Sequence, residues 1–135
     1  MLEPRPIAPG LFVIDPDGPR LLAARCAACQ QLHFPADVVC PYCAATDVSA
    51  TPAGPEGHLK LFTAVSSRPP GYRGEVPYGF GVVELADGLE VISRLTEARL
   101  DRLRPGLRVH LVVEPLFADD DGRPVLSYAF RPEET

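Results

Sequence analysis

The sequence lacks both a long hydrophobic run and an excess of positive charge, and each absence excludes or disfavours a class of function. No apolar stretch of the chain reaches the roughly 18 residues that a membrane-spanning helix needs. The formal net charge of −5 disfavours a nucleic-acid partner, because contacts with phosphates need a basic surface. The N-terminus shows no charged-then-apolar signal-peptide pattern, so we expect a cytoplasmic protein.

Recognisable catalytic motifs are missing as well. The chain has no G-x-S-x-G nucleophile elbow and no glycine loop of the Walker or Rossmann type. Its three histidines, His33, His58 and His110, are isolated in the sequence and are more typical of structural positions. We therefore expect little or no enzymatic activity from this chain alone.

All four cysteines belong to one pattern, C-x2-C-x10-C-x2-C, formed by Cys26, Cys29, Cys40 and Cys43. Two C-x2-C pairs can fold as facing knuckles, and four thiolates at tetrahedral corners suit zinc, with iron as the alternative. The second pair reads CPYC, the tetrapeptide of glutaredoxins, so dithiol chemistry and disulfides are the alternative interpretations. Because four cysteines fill a tetrahedral site, we expect a structural metal rather than a catalytic one.

The second half of the chain predicts a small barrel. Strand-like runs alternate with turn signals, among them the Asp87–Gly88 pair of a hairpin. A helix is expected over 96–103, with Thr96 as its N-cap and Leu100 and Leu103 on one face. Five strands with a helix between the third and fourth form the order of an OB-fold, although a five-stranded meander would give a similar string. The predicted strands cover 57–65, 78–85, 89–95, 107–116 and 124–130.

The expected organisation is therefore mainly β, with a zinc ribbon followed by a five-stranded OB-fold barrel that carries one short helix. The predicted divisions are an N-terminal arm at 1–22, the ribbon at 23–50 and the OB-fold at 56–132. Residues 7–24 look like a hairpin or an extended arm around Asp15–Gly18. The proline- and glycine-containing stretch 49–57 is expected to be a loop.

The first two barrel strands are joined by twelve residues, "SSRPPGYRGEVP" at 66–77, of which five are proline or glycine. Loops of that length without secondary structure are usually functional or disordered. Tandem prolines and an aromatic residue make this one stiff, and it occupies the first strand–strand loop, where OB-folds bind ligands. A simple lid over the barrel mouth explains the sequence equally well.

Four stretches together resemble a known family: "RCAACQQLHFPADVVCPYC" (25–43), "GHLKLFTAV" (57–65), "RPPGY" (68–72) and "PYGFGVVELADGLEVISRL" (77–95). The chain resembles the small rubredoxin-like zinc-ribbon plus OB-fold proteins, long catalogued as a domain of unknown function. Those proteins accompany thiolases, lipid-transfer-type aldolases, hydroxymethylglutaryl-CoA synthases and hot-dog-fold hydratases. The resemblance covers roughly residues 20–132 and implies a rubredoxin-like form of the ribbon.

The resemblance implies that the four cysteines hold zinc and that the chain is a partner of an enzyme acting on acyl-CoA. The expected function is a non-catalytic subunit of a thiolase- or aldolase-type complex in lipid, steroid or aromatic degradation, with lyase or thiolase chemistry in the partner. A hydratase complex and a nucleic-acid-binding ribbon–OB module are the alternatives. The residues implied to face the acyl-CoA or the catalytic subunit are Phe62, Arg68, Pro69, Pro70, Tyr72 and Tyr78.

The densest positive stretch of the chain runs from the third predicted strand into the fourth. Glu97 and Asp101 dilute it, so a solvated face is the default interpretation. The alternative is that one or two of its arginines meet the phosphates of a CoA nucleotide, which guanidinium geometry suits. The arginines are Arg94, Arg99, Arg102, Arg104 and Arg108.

Overall fold

The computed structural model describes residues 3–86 and 88–133, and in that part of the chain the regular structure is almost entirely β. Asp87, in the predicted hairpin turn, lies outside the described residues, as do the first two and last two positions. The elements are β1 Arg5–Pro6, β2 Phe12–Asp15, β3 Gly18–Cys26, β4 Leu32–His33, β5 Val48–Ala53, β6 Glu56–Val65, β7 Tyr78–Leu85, β8 Glu90–Leu95, a 3-10 turn Leu100–Arg102, β9 Arg108–Ala118 and β10 Pro124–Pro132.

The N-terminal sheet is built around β3, which pairs antiparallel with β2, β4 and β5. Strands β2 and β3 form a hairpin that turns at Asp15–Gly18, where the sequence predicted either a hairpin or an extended arm. Gly18 has φ +116, a conformation that a residue with a Cβ rarely adopts, and this favours a glycine at the turn. Strand β3 ends at Cys26, so the sheet delivers the first cysteine of the cluster.

The C-terminal half is a closed five-stranded barrel of β6 to β10. Strand β6 pairs with β7, β7 with β8 and β9 with β10, all antiparallel. Antiparallel pairing of β6 with β9 and one parallel bridge between β8 and β10 close the circle. This connectivity confirms the predicted OB-fold, and closure leaves few unpaired strand edges. The short β1 adds outside β10 in parallel orientation.

One hydrophobic core serves both halves of the chain. The barrel contributes fully buried side chains such as Val83, Val109 and Phe130. The N-terminal sheet contributes Leu21, and the Phe34 ring meets Tyr128 of β10 edge-on at a centroid distance of 5.5 Å. Because the ribbon segment alone has little apolar area to bury, this shared core fixes the N-terminal sheet against the barrel.

A β-bulge alters the outer face of β6. The pairing with β7 shifts between Leu59 and Leu61, so Lys60 and Leu61 are both exposed although they are consecutive. Gly81 lies next to this bulge, where a Cβ would collide with the carbonyl oxygen of Leu61. The glycine therefore allows the bulged strand to approach β7 closely, as glycines at bulges commonly do.

The helix predicted over 96–103 is wrong in its length and in its cap. Only Leu100–Arg102 forms a 3-10 turn, and the backbone N–H of Thr96 donates instead to Phe130 O at 3.0 Å. Leu103 is buried while Leu100 is about half exposed, so the two do not share a buried face. A helix of eight residues is too short to offset the free-energy cost of helix nucleation. Contacts with the barrel therefore decide the local conformation. Among the described residues, no helix is long and apolar enough to cross a membrane.

The loop predicted over 49–57 is also wrong, because most of it is strand. Residues Val48–Ala53 form β5, which pairs antiparallel with β3. Ala53 lies opposite Leu21 and Val48 lies opposite Cys26. Serine, threonine and proline give this segment a weak local strand signal, so the pairing with β3 decides its structure. The predicted divisions at 22/23 and 50/56 stay predictions.

Candidate functional site

The two C-x2-C segments adopt the same backbone structure. In the first, the N–H of Gln30 donates to Cys26 O at 2.8 Å, and the N–H of Cys26 donates to Gln31 O at 3.0 Å. In the second, Ala44 and Ala45 repeat these bonds around Cys40, at 2.9 and 2.8 Å. Gln30 and Ala44, each directly after the second cysteine, have φ values of +67 and +65. These repeated turns are the two knuckles that the cysteine spacing predicted.

The knuckles bring the four sulfur atoms together. All four Sγ atoms lie within 4.8 Å of one another, and the Cys26–Cys43 and Cys29–Cys40 sulfur pairs are each 3.6 Å apart. A disulfide needs about 2.05 Å, so these thiols are free and not bridged. A tetrahedral site with zinc–sulfur bonds of about 2.3 Å has sulfur–sulfur edges of about 3.8 Å. The donor set and its spacing therefore fit a tetrahedrally bound metal ion.

The electrostatics of the cluster favour a cation at its centre. Burial opposes ionisation of the Cys40 thiol, but the N–H groups of Tyr42 and Cys43 outweigh it and lower its pKa to about 7. Ala45 N–H favours the Cys43 thiolate, yet the Cys26 sulfur, burial and the other two sulfurs raise the pKa of Cys43 to about 12. One thiol thus ionises readily while a neighbour resists, because like charges at this spacing repel. A divalent cation removes that conflict.

His33 does not belong to the sulfur cluster. It is 4% exposed, and its Nε2 accepts a hydrogen bond from Asp37 N at 3.2 Å. The imidazole therefore helps to order the segment between the two knuckles, from which both residues come. Among the described residues, this group of potential metal ligands consists of the four cysteines alone. Four ligands complete a tetrahedral set. Such a set leaves no open position at which a metal-bound water could react.

The loop at 66–77 is held by its own hydrogen bonds. The Arg68 guanidinium donates to Gly74 O, and the N–H of Tyr72 donates to Pro69 O at 3.0 Å. The Tyr72 ring lies 4.7 Å from the Tyr78 ring, and the Arg68 guanidinium carbon lies 6.0 Å from the Tyr72 centroid. The loop is thus an ordered platform with an aromatic centre.

A second arginine ties this loop to the β9–β10 turn. The guanidinium carbon of Arg73 lies 4.7 Å from the centroid of Phe117, within cation–π range. The same side chain reaches Asp120 at 3.4 Å. The loops after the first and fourth barrel strands are therefore in contact, and these are the two loops with which OB-folds bind ligands.

Only some of the sequence-predicted contact residues meet. Tyr72 and Tyr78 line a cleft of about 380 Å³, which we call the aromatic cleft. Arg68 lies over Tyr72, whereas Phe62 is half-buried against the barrel core and Pro69 and Pro70 lie outside the cleft lining. The remaining lining residues are Glu75, Pro77, Arg94, Leu95, Thr96, Glu114, Pro115 and Leu116.

The sequence does not single out two charged residues of the aromatic cleft, Arg94 and Glu114. Arg94 Nη2 lies 3.0 Å from Glu114 Oε1, and its side chain is 18% exposed. Arg94 appeared in the sequence only as one member of an arginine-rich stretch, and Glu114 carried no signal. Their pairing depends on the proximity of β8 and β9 around the barrel, which local sequence patterns do not reveal.

Comparison with known proteins assigns both halves of the chain. Residues 17–49 match the family described as ChsH2, rubredoxin-like zinc ribbon domain, and residues 50–114 match ChsH2, C-terminal OB-fold domain. The benzoylsuccinyl-CoA thiolase subunit BbsA of Thauera aromatica is 32% identical over 125 residues, covering 91% of this chain and 85% of BbsA. The chain belongs to the ChsH2 zinc-ribbon and OB-fold family. The resemblance noted in the sequence is therefore confirmed.

Two further similar proteins bear on the fold and on function. A DUF35 domain-containing scaffold protein of Pyrococcus furiosus is 28% identical over 114 residues, covering 84% of this chain and 83% of the relative. A solved structure named Ltp2-ChsH2(DUF35) aldolase matches with a TM-score of 0.65 and 28% identity, covering 84% of each chain. The relatives' names thus include a thiolase subunit, a scaffold protein and part of an aldolase complex.

Proposed function

We propose that this ChsH2-type chain is a non-catalytic subunit of a thiolase- or aldolase-type complex that makes or breaks C–C bonds in acyl-CoA thioesters. The observation that carries the proposal is the similarity to a thiolase subunit over 91% of the chain. The aldolase complex among the similar structures supports the same class of reaction. The catalytic groups belong to the partner subunit, while this chain assists assembly and completes the binding site for the CoA ester.

The metal in this proposal is zinc and its role is structural. Four thiolates saturate a tetrahedral ion, and the bound ion fixes two knuckles that lie outside the shared core. Iron fits the same donor set, and elemental analysis of freshly purified protein distinguishes the two metals. Neither ion needs to contact substrate for the chain to act as an assembly subunit.

The loop at 66–77 is the first surface that we assign to the acyl-CoA or to the catalytic subunit. Its hydrogen bonds and three prolines reduce the entropy that would be lost on binding. Tyr72 and Tyr78 offer large aromatic contacts at low rotamer cost, and Arg68 adds a charge above them. Pro69 and Pro70 belong to the same loop and Phe62 to the adjoining strand β6, and we assign these three residues to the same surface.

An apolar row on the outer barrel wall is the second surface. Leu61, Val82 and Ile92 face one another across β6, β7 and β8, and Phe80 lies in the next row of β7. Leu61 is 67% exposed, Ile92 61% and Phe80 39%. We call these four residues the outer row. Contiguous exposed apolar residues are typical of protein interaction sites.

The occupant that we assign to the outer row is the catalytic subunit rather than a second copy of this chain. The outer row is continuous with the aromatic cleft, because Phe80 pairs with Arg94 and Tyr78 precedes it on β7. Two copies meeting face to face would each bring a net charge of −5, whereas a different partner can supply complementary charge. One partner can thus cover the row and the cleft together.

Co-expression with the products of neighbouring genes tests the proposal. We expect a thiolase- or aldolase-like protein to copurify with this chain, and C–C bond chemistry on an acyl-CoA to require both proteins. Copurification with a hydratase instead, or full activity of the catalytic subunit alone, would contradict the proposed class of reaction. Tight, salt-dependent binding of single-stranded nucleic acid would favour a ribbon–OB nucleic-acid module.

Variants of the loop test its part in the complex. We expect the combined changes Arg68→Ala and Tyr72→Ala to weaken association or partner-dependent activity about tenfold or more, since one interface aromatic or arginine contributes about 1–3 kcal/mol. Tyr42→Ala is the control, because Tyr42 is 58% exposed and lies on the ribbon. Intact association together with a lower melting temperature would show that the loop is only a lid.

A further inference from the structure

A second, larger cleft lies beside the aromatic cleft and carries most of the positive charge in this region. Its volume is about 970 Å³, and its lining includes Thr96, Arg102, Arg104, His110 and Arg131. Leu107, which is buried, forms part of its apolar lining. We call it the basic cleft. A volume near 1,000 Å³ is at the upper end of the usual range of about 300–1,000 Å³ for small-ligand sites.

The acidic residues of the basic cleft leave much of its donor capacity free. Glu97 and Glu133 also line the cleft. Glu97 forms an ion pair with Arg102 at 3.6 Å, which is too long for a hydrogen bond, and Glu133 pairs with Arg108, outside the lining. Arg104 makes no ion pair with any residue in the described ranges 3–86 and 88–133. Guanidinium groups with unused donors bind phosphate well because they present two parallel N–H groups.

The two clefts adjoin. Thr96 lines both of them, and Glu114 in the aromatic cleft binds Arg131 of the basic cleft at 3.3 Å and Arg94 at 3.0 Å. A ligand can therefore extend from an arginine-rich end, past Thr96, to an aromatic end at Tyr72 and Tyr78. The required ligand has a polyanionic head and a long neutral arm.

We infer that the basic cleft binds the phosphorylated nucleotide of coenzyme A while the aromatic cleft receives its pantetheine arm. This inference rests on the proposed function for the choice of acyl-CoA as the ligand, and it adds where that ligand contacts the chain. The 3′-phosphate and pyrophosphate face Arg102, Arg104 and Arg131. The neutral arm passes Thr96 toward the tyrosines, which directs the thioester to the surface assigned to the catalytic subunit.

Calorimetry on the full zinc-loaded chain without partner tests this assignment. We expect CoA to bind and dephospho-CoA, which lacks the 3′-phosphate, to bind several-fold more weakly. Pantetheine, which lacks the nucleotide, should not bind detectably. ADP separates recognition of a generic diphosphate from recognition of CoA, and ADP binding as tight as that of CoA would overturn the assignment.

Two matched arginine variants localise the site. Arg104→Ala removes an exposed guanidinium from the lining, and we expect about tenfold weaker CoA binding, the loss of one charge-assisted hydrogen bond. Arg99→Ala makes the same change in net charge five residues away, outside the lining, where Arg99 pairs with Asp101 at 2.8 Å. It should change affinity less than twofold.

The outcomes separate this inference from the proposed function. No CoA binding, or equal effects of the two arginine variants, overturns the basic cleft as the CoA site even if a thiolase-like partner copurifies. Binding that Arg104→Ala weakens supports the site even if the partner proves to be of another class. Arg104-dependent binding of single-stranded nucleic acid that is tighter than that of CoA would also overturn it.

Discussion

Replacing Ile92 with aspartate is the sharpest test of the outer row as a docking surface. Ile92 lies at the centre of β8 with its side chain 61% exposed, so a partner would bury most of it. Full burial of an isoleucine side chain is worth about 1.5–3 kcal/mol, and the exposed fraction therefore offers about 1–2 kcal/mol to an interface. An unpaired carboxylate buried there adds at least about 2 kcal/mol of desolvation cost.

Together these two terms predict that the binding free energy falls by about 3 kcal/mol or more, which corresponds to at least about a 150-fold weaker complex. The control is Ile14→Asp, because Ile14 is 65% exposed and lies on β2 of the N-terminal sheet. Each variant should lose no more than about 1 kcal/mol of its own folding stability, since both side chains already face solvent. Titration with the catalytic subunit measures the affinity of each variant, and thermal melts of the free variants measure their folding stability.

Equal affinity of Ile92→Asp and Ile14→Asp for the catalytic subunit would refute the assignment of the outer row. A selective loss of folding stability in Ile92→Asp would show that the row serves the barrel instead. A large loss of affinity at Ile92 with unchanged melting of the free chain is the result that the structure predicts.

Three further predictions concern the metal centre and its knuckles. Cys40 is 1% exposed, and Cys40→Ser should abolish stoichiometric metal binding and disorder the knuckles. Elemental analysis and proteolysis measure these two effects, and metal retained by the variant would contradict the prediction. The N–H of Gln31 favours the Cys29 thiolate, but burial and the Cys40 sulfur raise the pKa of Cys29, and the pKa of Cys43 is raised to about 12. Both thiols therefore have to release a proton when a metal binds, so metal affinity measured by titration should fall at least about 100-fold per unit of decreasing pH near neutrality. At Ala44, with φ +65, Val should destabilise the folded protein by about 1–2 kcal/mol in denaturant titrations whereas Gly should not.

Features that depend on short stretches of chain were predictable from the sequence. The spacing of Cys26, Cys29, Cys40 and Cys43 predicts two knuckles, because a C-x2-C segment closes within one turn of backbone. The β2–β3 hairpin and the alternating runs that form the barrel strands are equally local. The position of a helical turn between the third and fourth barrel strands also followed from the chain order, although its length did not.

Features that depend on contacts between distant segments were decided by the tertiary structure. Strand β5 exists because β3 supplies its hydrogen bonds. The segment at 96–103 stays mostly non-helical because Leu103 is buried in the barrel core and the Thr96 N–H donates to Phe130 O of β10. The bulge at Leu59–Leu61 turns Leu61 outward, which simple alternation along β6 does not predict.

The aromatic and basic clefts combine residues from the loop at 66–77 and from the barrel strands and the segment that joins β8 to β9. Barrel closure brings Arg94, Glu114 and Arg131 together, although they are separated by up to 37 positions (131 minus 94). The sequence by itself thus predicted the four-cysteine cluster and the order of the strands, because both depend on local spacing and pattern. Only the folded barrel determined which side chains share a surface, because strand register and closure are set by long-range pairing.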